Sequence, residues 1–289
     1  MAKKVDTNTG ILYVAATPIG NLEDITLRCL RILDEVDLIA AEDTRHTRKL
    51  LTHFEISTPL ISYYREKEAE RSIQLIERLA NGESIALVSD AGTPGISDPG
   101  AILVARAHET GIEVIPLPGA SALTTTLSAA GIINPHFLFL GFAPSKKSQR
   151  RALLTSLIDI QWPLIFYESP RRIEGLLSDI LEIFGDRRGF WGRELTKSYE
   201  ELKKASISEL LNHASSKTNR GEFVLVIEPG TAIKAEGENL QELLVWYRDN
   251  TTLSLKDVSR KLAGDLGLSR SNVYQEALGI FKKKRIQKS

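Results

Sequence analysis

Ser89-Asp-Ala-Gly-Thr-Pro-Gly-Ile-Ser-Asp-Pro-Gly100 decides how the chain is read. It follows Ser84-Ile-Ala-Leu-Val88, a short apolar run of the kind a buried strand shows, and precedes Ala101-Ile-Leu-Val-Ala-Arg-Ala-His108, which reads as a helix. Pro99 suits the first turn of that helix, where no N–H is needed, and Ser97 or Asp98 is expected to cap it. A loop that leaves the carboxyl end of a strand and feeds a helix is the usual ligand address of an open α/β sheet. Ordinary loops of this kind take about two to six residues, so residues 89–100 exceed what a plain turn needs. Three glycines let a ligand approach the backbone, and two prolines stiffen it.

Outward from that loop, strands and helices alternate. Ile11–Ala16, Asp37–Ala41, Pro59–Ser62, Ile112–Pro116 and Phe137–Leu140 read as strands; Ile25–Val36, Arg48–Phe54, Glu66–Ala80 and a stretch ending at Ala130 read as helices. The alternation predicts a mostly parallel sheet covered on both faces, in a domain spanning 1–142. Ala143–Gln149 is a polar connection taken as the boundary. Beyond it the pattern loosens: Leu164–Tyr167, the adjacent strands Gly189–Leu195 and Ser198–Leu202, and Glu222–Ile227 predict a mixed α+β domain over 143–236, with a helix opened by Glu168–Arg172. In the last segment, 237–289, Leu255, Val258, Leu262 and Leu266 share one helical face. Gly267 breaks that helix, Ser269 is placed to cap the next, and Val273, Ala277 and Phe281 form its inner stripe. This is the layout of a helix-turn-helix that presents Arg270, Ser271 and Asn272 at the start of its second helix, beside Lys282–Arg285.

The 289 residues carry 37 Lys+Arg and 37 Asp+Glu. The even sum hides an asymmetry, because Leu255–Ser289 holds nine basic and three acidic residues, which leaves the other 254 with six net negative charges. A basic tail on an acidic body points to a polyanionic partner. Cys29 is the only cysteine, so no intrachain disulfide is possible and a cytoplasmic site is expected. No apolar run is long enough for a membrane span, and the five histidines lack metal-ligand spacing.

The loops after the first domain's strands contain no GxGxxG, and Gly141–Ser148 has Lys146 where a Walker loop needs its second glycine. What they offer is small residues and backbone amides. Thr17-Pro-Ile-Gly-Asn21, Ala41-Glu-Asp-Thr-Arg45, Ser89–Gly100, Pro118-Gly-Ala-Ser121, Phe139-Leu-Gly-Phe142, Tyr167-Glu-Ser-Pro-Arg-Arg172 and Arg193-Glu-Leu-Thr-Lys197 together resemble the S-adenosylmethionine-dependent tetrapyrrole-methylase superfamily, and within it the branch that acts on ribosomal RNA. The resemblance implies two α/β domains with S-adenosylmethionine in the cleft between them, and a homodimer. It also implies methyl transfer to the ribose 2′-oxygen of a cytidine in the decoding region of 16S ribosomal RNA, free or in the small ribosomal subunit. Gly92-Thr93-Pro94 stands where the wider family has Gly-Asp-Pro, and Ile96 would line the adenosine pocket. Pro18 with Gly20 takes the place of the family's first glycine-rich loop. Ser121 and Ala122, together with Asp90 and Tyr167 in the shared motifs, complete the implied cofactor contacts. Thr93 in place of the aspartate, and the sparser glycines of Thr17–Asn21, agree with a substrate other than a tetrapyrrole.

A ribose hydroxyl must lose its proton to attack, so either a base takes it or in-line positioning suffices. Asp43 is the first candidate base, followed by Glu168 and Glu194. Each has a plain alternative: Asp43 as helix cap or partner of Arg45, Glu168 as partner of Arg171 or Arg172, Glu194 as partner of Arg193 or Lys197. Arg45, Arg171, Arg172, Arg193, Lys197 and Arg270 are candidates for RNA phosphate contact. Two rivals are a tetrapyrrole-precursor C-methylase, which has no use for a basic arm, and a ligand-sensing DNA-binding regulator.

Overall fold

In the computed structural model, which describes residues 9–215, 221–230, 237–251, 253–266 and 268–283, the run before the long loop is the middle strand of a parallel sheet. Five strands make that sheet: β1 (Ile11–Ala15), β2 (Leu38–Ala41), β3 (Leu60–Ser62), β4 (Ile85–Val88) and β5 (Glu113–Leu117). Their order is β3-β2-β4-β1-β5 and every pairing is parallel. β2 and β4 are buried at every position, which is why they read as unbroken apolar runs. The connecting helices are α1 (Leu27–Glu35), α2 (Thr44–His53), α3 (Glu68–Ala80) and α4 (Ala101–Thr110). Cys29, Ile32 and Leu33 of α1 and Leu51 of α2 pack on one face of the sheet; Leu75 and Leu79 of α3 and Leu103 and Ala107 of α4 pack on the other. Burial pushes the Cys29 thiol up to about 11, which leaves it an inert core residue.

The helix α5 (Ala122–Ala130) leads into a second sheet built from β6 (Leu138–Phe142), β7 (Leu164–Glu168), β8 (Arg188–Arg193), β9 (Glu201–Ser206) and β10 (Phe223–Ile227), in the order β6-β7-β10-β8-β9. Only β6 and β7 run parallel; the other pairings are antiparallel, so the sheet is mixed as expected. Phe137–Leu140 was expected to complete the first half, yet it forms β6, the edge of the second sheet. Parallel neighbours need a crossover, and α6 (Lys147–Ser156), which begins inside the polar connection, supplies it. The strand expected at Ser198–Leu202 starts later, at Glu201, because Glu194 (φ 49°) and Thr196 (φ 64°) coil the preceding segment into a left-handed turn. The helices α7 (Ile173–Phe184) and α8 (Ile207–Ser215) accompany this sheet.

Both sheets fall in one compact unit, within Met1–Ile158 and Trp162–Glu228, while Asp159–Gln161 with Pro229–Ser289 form another. The latter contains α9 (Gly237–Asn250), α10 (Leu255–Asp265) and α11 (Arg270–Lys283), closed around Leu244, Val258, Leu262, Val273 and Ala277. The Ser254 hydroxyl caps α10 by accepting the Asp257 N–H at 3.2 Å. Gly267, Lys284 and Arg285 lie outside the described residues. No described helix is long and apolar enough to cross a membrane.

The start of α4 differs from the sequence expectation. Neither Ser97 nor Asp98 caps it, and Pro99 precedes its first turn; the cap position is Gly100, at φ 148°, a backbone conformation that favours glycine. The cap comes from another helix. Glu68, at the start of α3, accepts the Gly100 N–H at 2.8 Å and the Ile102 N–H at 3.3 Å, and its Oε1 also takes the Tyr63 hydroxyl at 3.2 Å. The far end of the long loop is thereby tied to a buried carboxylate. Because loss of a buried acceptor orphans its donors, Glu68→Ala is expected to lower the unfolding free energy by about 1–3 kcal/mol. Glu68→Gln, which keeps an acceptor oxygen, should recover most of that loss in urea unfolding; an alanine variant as stable as the wild type would remove Glu68 from this role.

Candidate active site

Four loops leave the carboxyl ends of β1, β2, β4 and β5, and Ser89–Gly100 binds all the others. Thr17 and Gly92 exchange backbone hydrogen bonds of 2.9 and 3.0 Å, and the Thr17 hydroxyl donates to the Ser89 carbonyl at 3.1 Å. The Asp43 N–H donates to Asp90 Oδ1 at 3.0 Å, and the Thr93 hydroxyl to the Ala120 carbonyl at 3.3 Å. Facing these loops are the end of β7, the turn between β8 and β9, and the start of β10. Together they enclose a cleft of about 280 Å³.

The structure brings many of the sequence-selected residues into this cleft. Asp90, Gly92, Thr93 and Ile96 line it from the long loop, and Ser121, Ala122 and Tyr167 from the β5 and β7 ends. Gly92 has φ 78°, and a Cβ there would press on Ile19 Cγ2 at 3.3 Å. Burial lifts the Tyr167 phenol, which takes a hydrogen bond from the Leu123 N–H at the start of α5. Two members of the first loop are placed differently. Ile19 lines the cleft, whereas Pro18 and Gly20 do not. Gly20 instead faces the β8–β9 turn, where a Cβ would lie 2.5 Å from Lys197 Cγ and 2.8 Å from the Leu195 carbonyl.

The three candidate bases separate clearly. Asp43 lies off the cleft and takes both of its alternatives at once: Oδ1 caps α2 through the Arg45 N–H at 2.8 Å, and Oδ2 meets Arg45 Nη2 at 2.7 Å. Hydrogen bonds from Arg45 hold its carboxyl well below the usual carboxylate range, which makes it a poor base. Glu194 lines the cleft, but its Oε1 accepts Lys197 Nζ at 2.8 Å and the Glu222 N–H at 3.3 Å. Burial pulls the Glu194 carboxyl up, but these partners outweigh it and leave the group lowered. Glu168 lines the cleft with a fully buried side chain. Its Oε1 accepts the Ser169 N–H at 2.8 Å, whereas Oε2 stands 3.1 Å from Arg172 Nη2 without an aligned hydrogen bond. Burial pushes the Glu168 carboxyl up.

Two of the proposed phosphate contacts are committed within the fold. Arg172 pairs with Glu168 and donates to the Ala143 carbonyl, and Arg193, largely buried, pairs with Glu201 at 3.1 Å. Neither is free to reach outward. Lys197 sits in the cleft on Glu194. Arg45 is 88% exposed despite its pairing with Asp43, Arg171 is exposed, and Arg270 is exposed at the start of α11 in the other unit.

Sequence reasoning missed Glu42, Asp98, Phe142 and Glu222, all of which line the cleft. With Asp90, Glu168 and Glu194 they bring six carboxylates to it, against the one cation Lys197 among the described residues. Burial raises Glu42, helped by the charge of Asp98; burial also raises Asp98, helped by that of Asp90. A partly desolvated, negatively charged cleft is suited to a cation.

The sequence profile of the tetrapyrrole (corrin/porphyrin) methylases matches residues 11–211. A protein of Halalkalibacterium halodurans named ribosomal RNA small subunit methyltransferase I is 43% identical over 276 residues, covering 92% of this chain and 93% of that one. A Synechocystis protein of the same name is 44% identical, with 94% and 98% covered. Among solved structures, the methyltransferase CobJ superposes with a TM-score of 0.58 at 18% identity over 77% of this chain and 95% of its own. Diphthine synthase gives 0.61 at 17% identity over 81% and 95%. At such identities these two likenesses concern the fold.

Gly20 presses on the turn that lines the opposite wall of the cleft. Gly20→Ala is expected to cost about 1–3 kcal/mol through overpacking, read as a lowered midpoint in urea unfolding. Unchanged stability would show that the turn yields to a methyl group there.

Proposed function

The chain belongs to the tetrapyrrole (corrin/porphyrin) methylases, and we propose from that premise that it methylates the ribose 2′-hydroxyl of a cytidine in the decoding region of 16S ribosomal RNA, with S-adenosylmethionine as donor. The observation that carries this reading is the near-full-length likeness to relatives named for small-subunit ribosomal RNA. The cleft fits the donor: carboxylates complement its sulfonium and ammonium, while Ile19, Ile96 and Val224 offer apolar surface to its nucleoside. Asp90, Gly92, Thr93, Ile96, Ser121, Ala122 and Tyr167 would hold it. When bound, it supplies a methyl group on a positively charged sulfur, a leaving group that needs no acid.

The chain's own work is on the acceptor, which attacks poorly until its proton is removed. Glu168 is assigned that proton. Its Oε1 is fixed by the Ser169 N–H, Arg172 holds the carboxylate from one side, and Oε2 lacks an aligned donor. A raised carboxyl is also the better base once ionised. Arg45 and Arg171 on the first unit, and Arg270 on the second, are the exposed cations proposed to meet RNA phosphate. The six excess positive charges of Leu255–Ser289 support that partner over a tetrapyrrole. A homodimer at work in the cytoplasm completes the reading.

Labelled S-adenosylmethionine offered with small ribosomal subunits, naked 16S RNA or a uroporphyrinogen-type substrate tests it. Label is expected at a cytidine 2′-oxygen in RNA; label only in the tetrapyrrole, or sequence-specific DNA retention with no label, would overturn it. Glu168→Gln is expected to cut kcat by roughly 10²–10⁴-fold with donor affinity intact. Because the base must be ionised, wild-type rate should rise with pH through the elevated Glu168 titration, and this limb should vanish in the glutamine variant. Full activity in that variant would leave catalysis to positioning.

A further inference from the structure

One corner of the cleft is used neither by the donor-holding residues nor by the base. It consists of Ser97 and Asp98 on the long loop and Phe142 at the end of β6. The two segments are neighbours, since a Cβ on Gly141 would lie 3.5 Å from the Ser97 hydroxyl. Phe142 is 51% exposed although it lines the cleft, with its ring edge-on to Tyr167 at a centroid distance of 5.8 Å. The Ser97 hydroxyl is buried without a hydrogen-bond partner, and the half-buried Asp98 carboxylate accepts no hydrogen bond among the described residues. Arg65, which donates to the Ser97 carbonyl at 2.9 Å, holds that backbone in place.

Neither polar group is tied to the fold by a hydrogen bond among the described residues, although the charge of Arg65 acts on Asp98. An exposed aromatic ring costs water contact, and a buried hydroxyl without a partner costs desolvation. Together they present an aromatic surface for stacking, an anionic acceptor and a free hydroxyl. A flat heterocycle with an exocyclic amine satisfies all three: its face stacks on the ring, its N–H₂ donates to the carboxylate, and its ring nitrogen or carbonyl takes the hydroxyl. A carbonyl in place of that amine would face the carboxylate with like polarity. We propose that Ser97, Asp98 and Phe142 form a subsite for an amine-bearing base ring, selecting it against its carbonyl-bearing counterpart. Two such rings reach this cleft under the function proposed above, on which the inference rests: cytosine of the acceptor and adenine of the donor. The open, half-exposed position of Phe142 favours cytosine.

The experiment measures two quantities on the wild type and Asp98→Asn. One is the calorimetric affinity for S-adenosylmethionine; the other is single-turnover transfer to small-subunit RNAs carrying cytidine or uridine at the methylated position. If cytosine occupies the subsite, Asp98→Asn lowers the cytidine-over-uridine preference by about tenfold or more, while donor affinity, still supported by the other cleft carboxylates, changes far less. If adenine does, donor affinity falls by a similar factor and the base preference holds. Both quantities unchanged would overturn the subsite, and so would both collapsing together with a lowered melting temperature, since that reports a disrupted loop. A wild type that binds donor but methylates neither RNA would count against the proposed function; the donor-affinity comparison would still decide for or against the subsite.

Discussion

Every part of the cleft floor is anchored to Ser89–Gly100. Its Gly92 pairs with Thr17, its Asp90 receives the Asp43 N–H, its Thr93 reaches Ala120, and its last residue is held by Glu68. A loop of this length is ordinarily mobile. Fixing each backbone residue costs about 1–2 kcal/mol of conformational entropy. Here the anchors meet that cost during folding, so a ligand meets a formed surface. This is why the loop can carry Gly92 at a positive φ and Gly100 at φ 148° without losing its shape.

The charge distribution divides the work. The described residues that line the cleft carry six carboxylates and one lysine, a lining that favours a cation and disfavours a polyanion. Under the proposed function, RNA would gain little electrostatic attraction from these residues. Its affinity would then come from exposed cations elsewhere, and the net charge of Leu255–Ser289 is of the required sign. Under the proposed function the donor would lose its positive charge with its methyl group, so these carboxylates would attract it less afterwards. Attraction that fades in this way would help to clear the site.

The elements with short-range signals were legible in the sequence. β1, β4 and β10 are apolar runs ended by turn chemistry, and the stripe of α10 repeats at helical spacing. Features set by distant partners were not. Glu68 is one of several glutamates on an amphipathic helix, and nothing nearby marks it as the cap of α4. Arg172 and Arg193 look like outward cations until Glu168, Ala143 and Glu201 come beside them. Glu42 and Asp43 are adjacent, yet capping turns Asp43 back onto α2 while Glu42 faces the cleft. Nothing in the sequence marks which member of the pair faces the cleft, because a helix cap and a cleft-lining acid draw on the same residue types.

The one glycine of Thr17–Asn21 is required by the second sheet. Glu194 and Thr196 both hold left-handed backbone, a strained state for residues with side chains. It persists because the Glu194 carboxylate is held by Lys197 and the Glu222 N–H, and the Thr196 N–H by Glu200. So shaped, the turn pushes Leu195, Thr196 and Lys197 against Gly20 at distances no Cβ could accept. Gly20 thus gives room to protein atoms from the opposite wall, with Ile19 beside it facing the cleft. The requirement for glycine at this position therefore follows from the protein atoms that Gly20 faces.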